Sequence, residues 1–339
     1  LCAACASSGT STAGHVRPVD VLPAASRADE TAQWWYRSGA ARAAGNGAMG
    51  GNAKNVIVFL GDGMSLTTVA AARILEGQRL GGSGEEHALS WEQFPATGLS
   101  KTYNTDSQTP DSAGTMTAVA TGVKSHMGAI GVSSGRRFDC EDSRQRHVQS
   151  WLRLASDAGL DTGIVTTARL THATPAATYA HVPDRNWEND VDVPDEARAQ
   201  GCRDIAQQIL DFAPGRGPKV LMGGGRGNFL PAGERDPEYD DKVGQRLDGR
   251  DLTAEWRAAN PSGAVVWNTA QLRAARDADA VFGLFEPDHM QYEHDRNREA
   301  GGEPDLAEMT RTAIAHLSKS GKGYVLLVEG GRIDHANHE

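Results

Sequence analysis

Uninterrupted apolar runs recur along the chain and alternate with longer stretches of helical periodicity. Four runs are rich in β-branched and aliphatic residues, as strands buried on both faces are. They are 56–60, 163–167, 219–222 and 324–328, and the first predicts a fully buried strand. Helices are predicted at 112–121, 147–158, 196–210 and 306–318. This alternation predicts an α/β fold with a doubly wound, mostly parallel central sheet flanked by helices.

The N-terminal fifty residues have a different composition. Residues 1–25 are rich in Ala, Ser, Gly and Thr, which favours a signal-sequence remnant or a disordered segment. Residues 26–50 predict a helix capped near Ser26 and Asp29, with Trp34, Trp35 and Tyr36 on one face, and then a connector. We expect residues 51–339 to form one domain.

Composition and charge narrow the class of protein. A chain of 339 residues with 39% hydrophobic and 23% charged residues has the make-up of an ordinary globular protein. Its net charge of −10 gives no reason to expect a nucleic-acid partner. Its acidic residues are either metal ligands or a solvated face, and composition alone favours the solvated face.

The start of the sequence indicates export. Small residues surround Cys5, as they do at a signal-sequence cleavage site, and a cysteine after two alanines also fits a bacterial lipoprotein anchor. Both readings stay open. The chain has no Asn-x-Ser/Thr sequon, which is unusual for a secreted animal protein. We therefore expect a bacterial periplasm or outer envelope, with an extracellular or cell-surface location as the alternative.

The remaining cysteines are Cys140 and Cys202. In an exported chain such a pair usually forms a disulfide, whereas in the cytosol two buried free thiols are the better reading. The indications of export favour the disulfide.

Polar residues follow three of the predicted strands directly. Asp62, the segment 169–174 and the segment 329–338 each stand where a strand ends. Parallel sheets gather their ligand sites at this edge, so we expect these residues to form one site.

The sequence Asp111-Ser112-Ala113 opens one of the predicted helices. A serine at a helix N-terminus lies in a positive dipole that favours its alkoxide and a bound phosphate. The plainer reading of Ser112 is a helix N-cap. No Gly-x-Ser-x-Gly elbow surrounds it, so a metal is the expected activator of a nucleophilic serine.

Further polar residues suit metals and phosphate. Asp334 and His338 share a helix face and form a good zinc pair, whereas Glu329 offers a magnesium ligand. Asp62 lies between glycines and is either a turn residue or a ligand aimed into the cleft. Arg185 can grip two phosphate oxygens, although a lone arginine is usually a surface residue.

Together these motifs resemble the alkaline phosphatase family from about Asn55 to Glu339, most specifically at 55–65, 99–132, 166–187 and 328–339. The resemblance implies that Ser112 is the nucleophile that becomes phosphoserine, and that Arg185 and Asp111 hold the phosphate. It also implies two zinc ions and one magnesium ion, with Asp62 between the second zinc and the magnesium. The remaining implied ligands are Thr174 and Glu329 for magnesium, Asp334 and His338 for the first zinc, and Ser112 for the second.

Other implied features follow the animal-like branch of the family. His172 and His335 stand beside the magnesium, so this site should hold magnesium less tightly and accept zinc more readily. Cys140 and Cys202 match a disulfide of that branch. A calcium ion is implied at Glu238, Phe285, Glu286 and Glu303, and a homodimer is expected.

The resemblance implies a phosphomonoesterase (EC 3.1.3.1) acting broadly on small phosphate monoesters. In the family, three more zinc ligands lie downstream of the position of Glu339, so we expect a fragment with a sheet incomplete at its C-terminal side. Whether this piece is active stays open, and the alternative is a truncated or non-catalytic metal-binding relative. A related phosphodiesterase or sulfatase would need a differently framed nucleophile.

Overall fold

A computed structural model describes residues 31–47, 53–212, 216–298 and 301–339. The chain divides into two compact units, Leu1–Asn52 and Ala53–Glu339. In the first unit, α1 (Ala32–Gly45) is capped by Thr31, whose hydroxyl accepts a hydrogen bond from the Trp34 amide. The predictions on Cys5, Ser26 and Asp29 fall outside the described residues.

In its described ranges, the second unit is built on six strands in the order β1-β6-β2-β3-β5-β4, and every neighbouring pair is parallel. Their bounds are β1 (Asn55–Gly61), β2 (Asp161–Arg169), β3 (Val220–Gly224), β4 (Gly263–Val266), β5 (Ala280–Leu284) and β6 (Tyr324–Gly330). The predicted parallel α/β sheet is confirmed. The strands β4 and β5 were not predicted.

The helices of this unit are α2 (Leu66–Arg79), α3 (Ser112–Thr121), α4 (Cys140–Arg144), α5 (Trp151–Asp157), α6 (Ala173–Ala176), α7 (Asp195–Ala199), α8 (Ile205–Gln208), α9 (Leu252–Ala259), α10 (Thr269–Ala274), α11 (Leu306–Ser318) and α12 (Arg332–His338). Two predicted bounds are wrong. The helix expected from residue 147 starts only at α5, because Ser150 caps it. The helix expected over 196–210 is two helices, because Gly201 has a φ of +85° and Asp204 caps a new start.

Side chains from alternate strand positions enter two separate cores, one on each face of the sheet. Ile164 and Phe282 pack with Leu152 of α5 in one core. Val165 and Leu326 pack with residues of α11 in the other. Burial on both faces explains why these strands read as continuous apolar runs.

The strand β1 departs from that pattern. It lies at the edge of the sheet and pairs with β6 alone among the described strands. Val56 is 42% exposed and Phe59 64% exposed, so the prediction of a fully buried strand is wrong. An apolar run shows that a strand can be buried. Whether it is buried depends on what packs against each of its faces.

Cys140 and Cys202 form the predicted disulfide, with their Cα atoms 5.9 Å apart. The bond joins the start of α4 to the turn between α7 and α8. Across the described ranges, we find no helix long and apolar enough to cross a membrane.

Candidate active site

The proposed nucleophile stands at the first position of α3. Asp111 is the N-cap, and its Oδ1 accepts hydrogen bonds from the Gly114 amide at 3.0 Å and from Asn104 Nδ2 at 2.9 Å. The plainer reading of Ser112 as the cap is therefore wrong. Because Asp111 caps the helix, Ser112 Oγ can donate a hydrogen bond to the carboxylate of Asp62, and it lies 2.9 Å from each carboxylate oxygen.

Asp62 is held by the turn that follows β1. Gly63 has a φ of +59°, and a Cβ atom there would lie 2.3 Å from Asp334 Oδ1. Only glycine permits both the left-handed backbone and this close approach. Burial raises the pKa of Asp62, the hydrogen bond from Ser112 opposes that rise, and the charge of Asp334 adds to it.

Glu329 is fully buried near the end of β6, where the parallel register places it beside Thr166 of β2. Thr166 Oγ1 donates to Glu329 Oε2, while Oε1 has no hydrogen-bond partner in the described part of the chain. Burial raises the pKa of Glu329 to about 7, and the hydroxyls of Thr166 and Thr174 partly offset this. A buried carboxylate oxygen without a donor is costly unless a cation meets it.

Arg185 lies between two of the predicted site residues. Its Nη1 donates to Asp111 Oδ2 at 3.2 Å, and its Nη2 is 2.9 Å from His172 Nε2. The backbone amide of Arg185 donates to the carbonyl of Gly128. The side chain is one quarter exposed, so the guanidinium is anchored and can still reach a ligand.

Asp334 and His338 lie on one face of α12, as predicted. His338 Nε2 is 3.4 Å from Asp334 Oδ1. The His338 side chain is 76% exposed, whereas Asp334 approaches Asp62 closely enough to influence its pKa.

The sequence prediction missed His289. It follows β5, and its ring lies 5.2 Å from that of His172 and 4.2 Å from that of His335, between centroids. Because β5 itself was not predicted, there was no predicted strand end at which His289 would be expected as a ligand. A search for polar residues after the run Ala280–Leu284 would have found it.

Among the residues that the structure describes, two groups of three side chains could each hold a metal ion, with ligand atoms within 4.8 Å of one another. We call Asp62, His172 and Glu329 the carboxylate cluster, and His172, His289 and His335 the imidazole cluster. Burial lowers the pKa of all three histidines, that of His289 to about 3. Neutral imidazoles and buried carboxylates are both suitable metal ligands.

The four residues expected at calcium also lie in one neighbourhood. Glu286 Oε1 accepts hydrogen bonds from Tyr239 and from the Gln291 amide group, and Glu303 Oε2 accepts one from the Gln291 backbone. Glu238 Oε2 is 2.9 Å from the guanidinium of Arg226. Phe285 is buried beside Glu286.

Comparisons with known proteins show what the chain as a whole is similar to. The family model for alkaline phosphatase matches residues 53–339. The tissue-nonspecific alkaline phosphatase of Homo sapiens is 49% identical over 296 residues, which are 85% of this chain and 56% of that protein. A membrane-bound alkaline phosphatase of Bombyx mori is 46% identical over 331 residues, covering 93% of this chain and 60% of that one.

A solved structure is similar as well. The alkaline phosphatase of Thermus thermophilus superposes with a TM-score of 0.66 at 31% identity, over 86% of this chain and 52% of that one. The chain thus spans somewhat more than half the length of these curated relatives. With a family match over most of its length and nearly half of the aligned residues identical to such relatives, the chain belongs to the alkaline phosphatase family.

Proposed function

We propose that the complete protein hydrolyses phosphate monoesters through a phosphoserine at Ser112. The observation that carries this proposal is the hydrogen bond of Ser112 Oγ to both oxygens of Asp62, made possible because Asp111 caps the helix instead. A structural N-cap would turn its oxygen toward the helix amides. Here the hydroxyl points to a carboxylate that can hold its proton.

The residues present fit the metals that the family implies. Asp62, Thr174 and Glu329 would hold magnesium, and the partnerless Oε1 of Glu329 supports this assignment. His172 and His335 stand beside that position. Asp334 and His338 would hold one zinc ion, and Asp62 with Ser112 the other. When bound, these ions lower the pKa of the serine hydroxyl and stabilise the departing alcohol oxygen.

The protein's own residues perform the remaining steps. Ser112 Oγ passes its proton to the carboxylate of Asp62 and attacks phosphorus, so that the new P–O bond forms as the bond to the alcohol oxygen breaks. The alcohol oxygen takes up a proton as it leaves. Arg185 exchanges its contacts with Asp111 and His172 for two phosphate oxygens. The N-terminus of α3 favours the added negative charge. The oxygen of a water molecule then bonds to phosphorus, the bond from phosphorus to Ser112 Oγ breaks, and Oγ takes up a proton as inorganic phosphate is released.

Broad specificity follows from where these contacts fall. Ser112, Arg185 and the helix N-terminus all address the phosphoryl group rather than the alcohol. Small phosphate monoesters of many kinds are therefore the proposed substrates.

The test compares two serines at helix N-termini. Ser112→Ala should lower nitrophenyl phosphate hydrolysis at alkaline pH, with zinc and magnesium present, by at least roughly 10³-fold. Ser65→Ala, which removes the side-chain cap of α2, should leave the rate nearly unchanged. Labelled phosphate should appear on the wild-type protein in an acid quench and be missing from Ser112→Ala. If wild type and Ser112→Ala are equally inactive, the truncated or non-catalytic metal-binding relative is the better reading.

We also propose the calcium site, the homodimer and the exported location from the resemblance. The buried carboxylates of Glu286 and Glu303, bridged by Gln291, support an ion there together with Glu238 and the carbonyl of Phe285. Calcium analysis after dialysis tests the calcium site, and Glu303→Gln should reduce the amount of bound calcium. Mass determination of the mature N-terminus tests the anchor at Cys5.

A further inference from the structure

Asp111 and Arg185 lie 74 residues apart in the sequence, and Gly128 contacts both of them. Its amide donates to Asp111 Oδ2 at 3.1 Å, and its carbonyl accepts a hydrogen bond from the Arg185 amide at 2.7 Å. Asp111 Oδ2 is also the oxygen that lies 3.2 Å from Arg185 Nη1. The three residues therefore form a closed ring of contacts, which we call the phosphate clamp.

Gly128 lies in a tight turn that needs a left-handed backbone. The Ala129 amide donates to the His126 carbonyl at 3.4 Å and closes the turn. Gly128 has a φ of +83°, whereas Met127 before it has no positive φ, which is the pattern of a type II turn. The third position of such a turn favours glycine or asparagine. A Cβ atom at Gly128 would meet no described atom within 4 Å, so the backbone angle rather than space selects glycine there.

The turn is tied to the two segments that carry the other clamp residues. On one side, the Met127 amide donates to Asp106 Oδ1 at 2.8 Å, in the loop before α3. On the other side, Ile130 and Val182 exchange two backbone hydrogen bonds of 2.9 Å. The turn therefore fixes the spacing between these two segments.

We propose that Gly128 is a positioning residue of the phosphate clamp, and that its left-handed backbone sets the affinity of the site for phosphate. This inference rests on the proposed hydrolysis, in which Arg185 grips the phosphoryl oxygens. Gly128 acts through Asp111 and Arg185 rather than on the phosphate itself. A guanidinium that is held in place beforehand loses less conformational freedom when phosphate binds, so phosphate binds more tightly.

The contacts of Gly128 persist when phosphate arrives. The Arg185 side chain exchanges its contact with Asp111 for phosphate oxygens, whereas its backbone hydrogen bond to Gly128 involves no atom of that side chain. The Gly128 amide continues to hold the carboxylate that the guanidinium releases. An alanine at this position relaxes toward a negative φ, which turns its amide and carbonyl relative to each other. The two hydrogen bonds cannot then both be kept.

The experiment measures the binding of inorganic phosphate to the full chain by calorimetry, with zinc and magnesium present, together with kcat and KM for nitrophenyl phosphate. Gly128→Ala should weaken phosphate binding about tenfold, as the loss of a hydrogen bond to a charged group does. It should raise KM more than it lowers kcat. Gly128→Asn should retain most of the affinity, because asparagine tolerates the left-handed backbone.

Gly159 supplies the matched control. It has a φ of +82°, and a Cβ atom there would also meet no described atom within 4 Å, but it follows α5 and lies outside the clamp. Gly159→Ala and Gly128→Ala should each lower the thermal midpoint of unfolding by roughly 2–4 °C, whereas Gly159→Ala should leave phosphate affinity unchanged. A double-mutant cycle tests the route of the effect. In an Arg185→Gln background, Gly128→Ala should raise KM little further.

Equal phosphate affinity in Gly128→Ala and Gly159→Ala would overturn the inference and leave the proposed hydrolysis standing. Additive effects of Arg185→Gln and Gly128→Ala would do the same. If Gly128→Ala does not fold, Gly128→Asn decides, because an asparagine variant that folds but binds phosphate about tenfold more weakly than wild type contradicts the role of the backbone angle. A wild-type chain that neither binds phosphate nor hydrolyses nitrophenyl phosphate would overturn the proposed function and this inference with it.

Discussion

The carboxylate cluster and the imidazole cluster share His172, yet burial acts on their proton equilibria in opposite directions. It raises the pKa of Asp62 and Glu329, so these acids keep their protons to higher pH. It lowers the pKa of His289 and His335, so these rings stay neutral to lower pH. Both shifts reduce the charge that the fold must bury. One cluster therefore offers a cation anionic oxygen, and the other offers neutral nitrogen.

The largest expected effect is on kcat, and it distinguishes the two clusters by their part in hydrolysis. Asp62→Asn should reduce kcat for nitrophenyl phosphate by roughly 10³-fold, because Ser112 loses the carboxylate that holds its proton. His289→Gln should have a much smaller effect on kcat, since its ring does not contact Ser112 in the described structure. Asp241→Asn, at an exposed site, controls for charge removal. Equal losses in Asp62→Asn and His289→Gln would end the functional distinction between the clusters.

Glu329 gives the next largest effect, on stability in the presence of a chelator. Its pKa is 4.5 in the unfolded chain and about 7 when folded, so the native state holds the proton more tightly. Stability is therefore highest below the unfolded pKa and falls as pH rises through about 7, by about 3 kcal/mol in total. Glu329→Gln should abolish this decline.

Thermal unfolding of both proteins between acid and alkaline pH measures the effect. Glu141→Gln, at an exposed position, should retain the wild-type decline. Magnesium added at alkaline pH should stabilise wild type more than Glu329→Gln. A decline of the same size in Glu329→Gln would show that another group is responsible.

The sequence predicted the two clusters unequally, and the reason lies in the strands that carry their residues. Asp62 directly follows β1 and Glu329 lies near the end of β6. Both strands are long enough to be found as apolar runs, and their ends located both acids. His289 lies five residues after β5, and because β5 was not predicted, this histidine was missed as well. The convergence of the three rings depends on strand order, which places β5 two positions from β2. Local patterns do not contain that order.

The exposure of β1 was beyond prediction for a related reason. Its apolar residues resemble those of β6, yet β6 lies between two strands and β1 has a single neighbour in the described sheet. Periodicity identifies a strand but not its place in the sheet. For Ser112 the local sequence allowed two readings, helix cap and nucleophile. The contact that distinguishes them is with Asp62, which lies 50 residues away in the sequence.

The imidazole cluster should also make stability depend on pH, by a smaller amount and in the opposite direction. The pKa of His289 falls from 6.5 to about 3 on folding, so the unfolded chain takes up the proton first. Stability is then fully present above 6.5 and declines as pH falls below it, by about 1–2 kcal/mol down to pH 5. His289→Gln should weaken this acid-side decline, measured by thermal unfolding. His87→Gln should leave it intact, and a decline unchanged in His289→Gln would assign it elsewhere.

The smallest expected effect tests a single hydrogen bond within the carboxylate cluster. Thr166→Val removes the hydroxyl that donates to Glu329 Oε2, which should cost about 1 kcal/mol and raise the pKa of Glu329 further. The alkaline decline in stability should therefore move to higher pH. Thr162→Val is the matched control, because the hydroxyl of Thr162 is buried in the same strand without a hydrogen-bond partner in the described chain. If both variants shift the decline equally, the contact with Glu329 contributes nothing specific, and burial alone sets the proton equilibrium of this cluster.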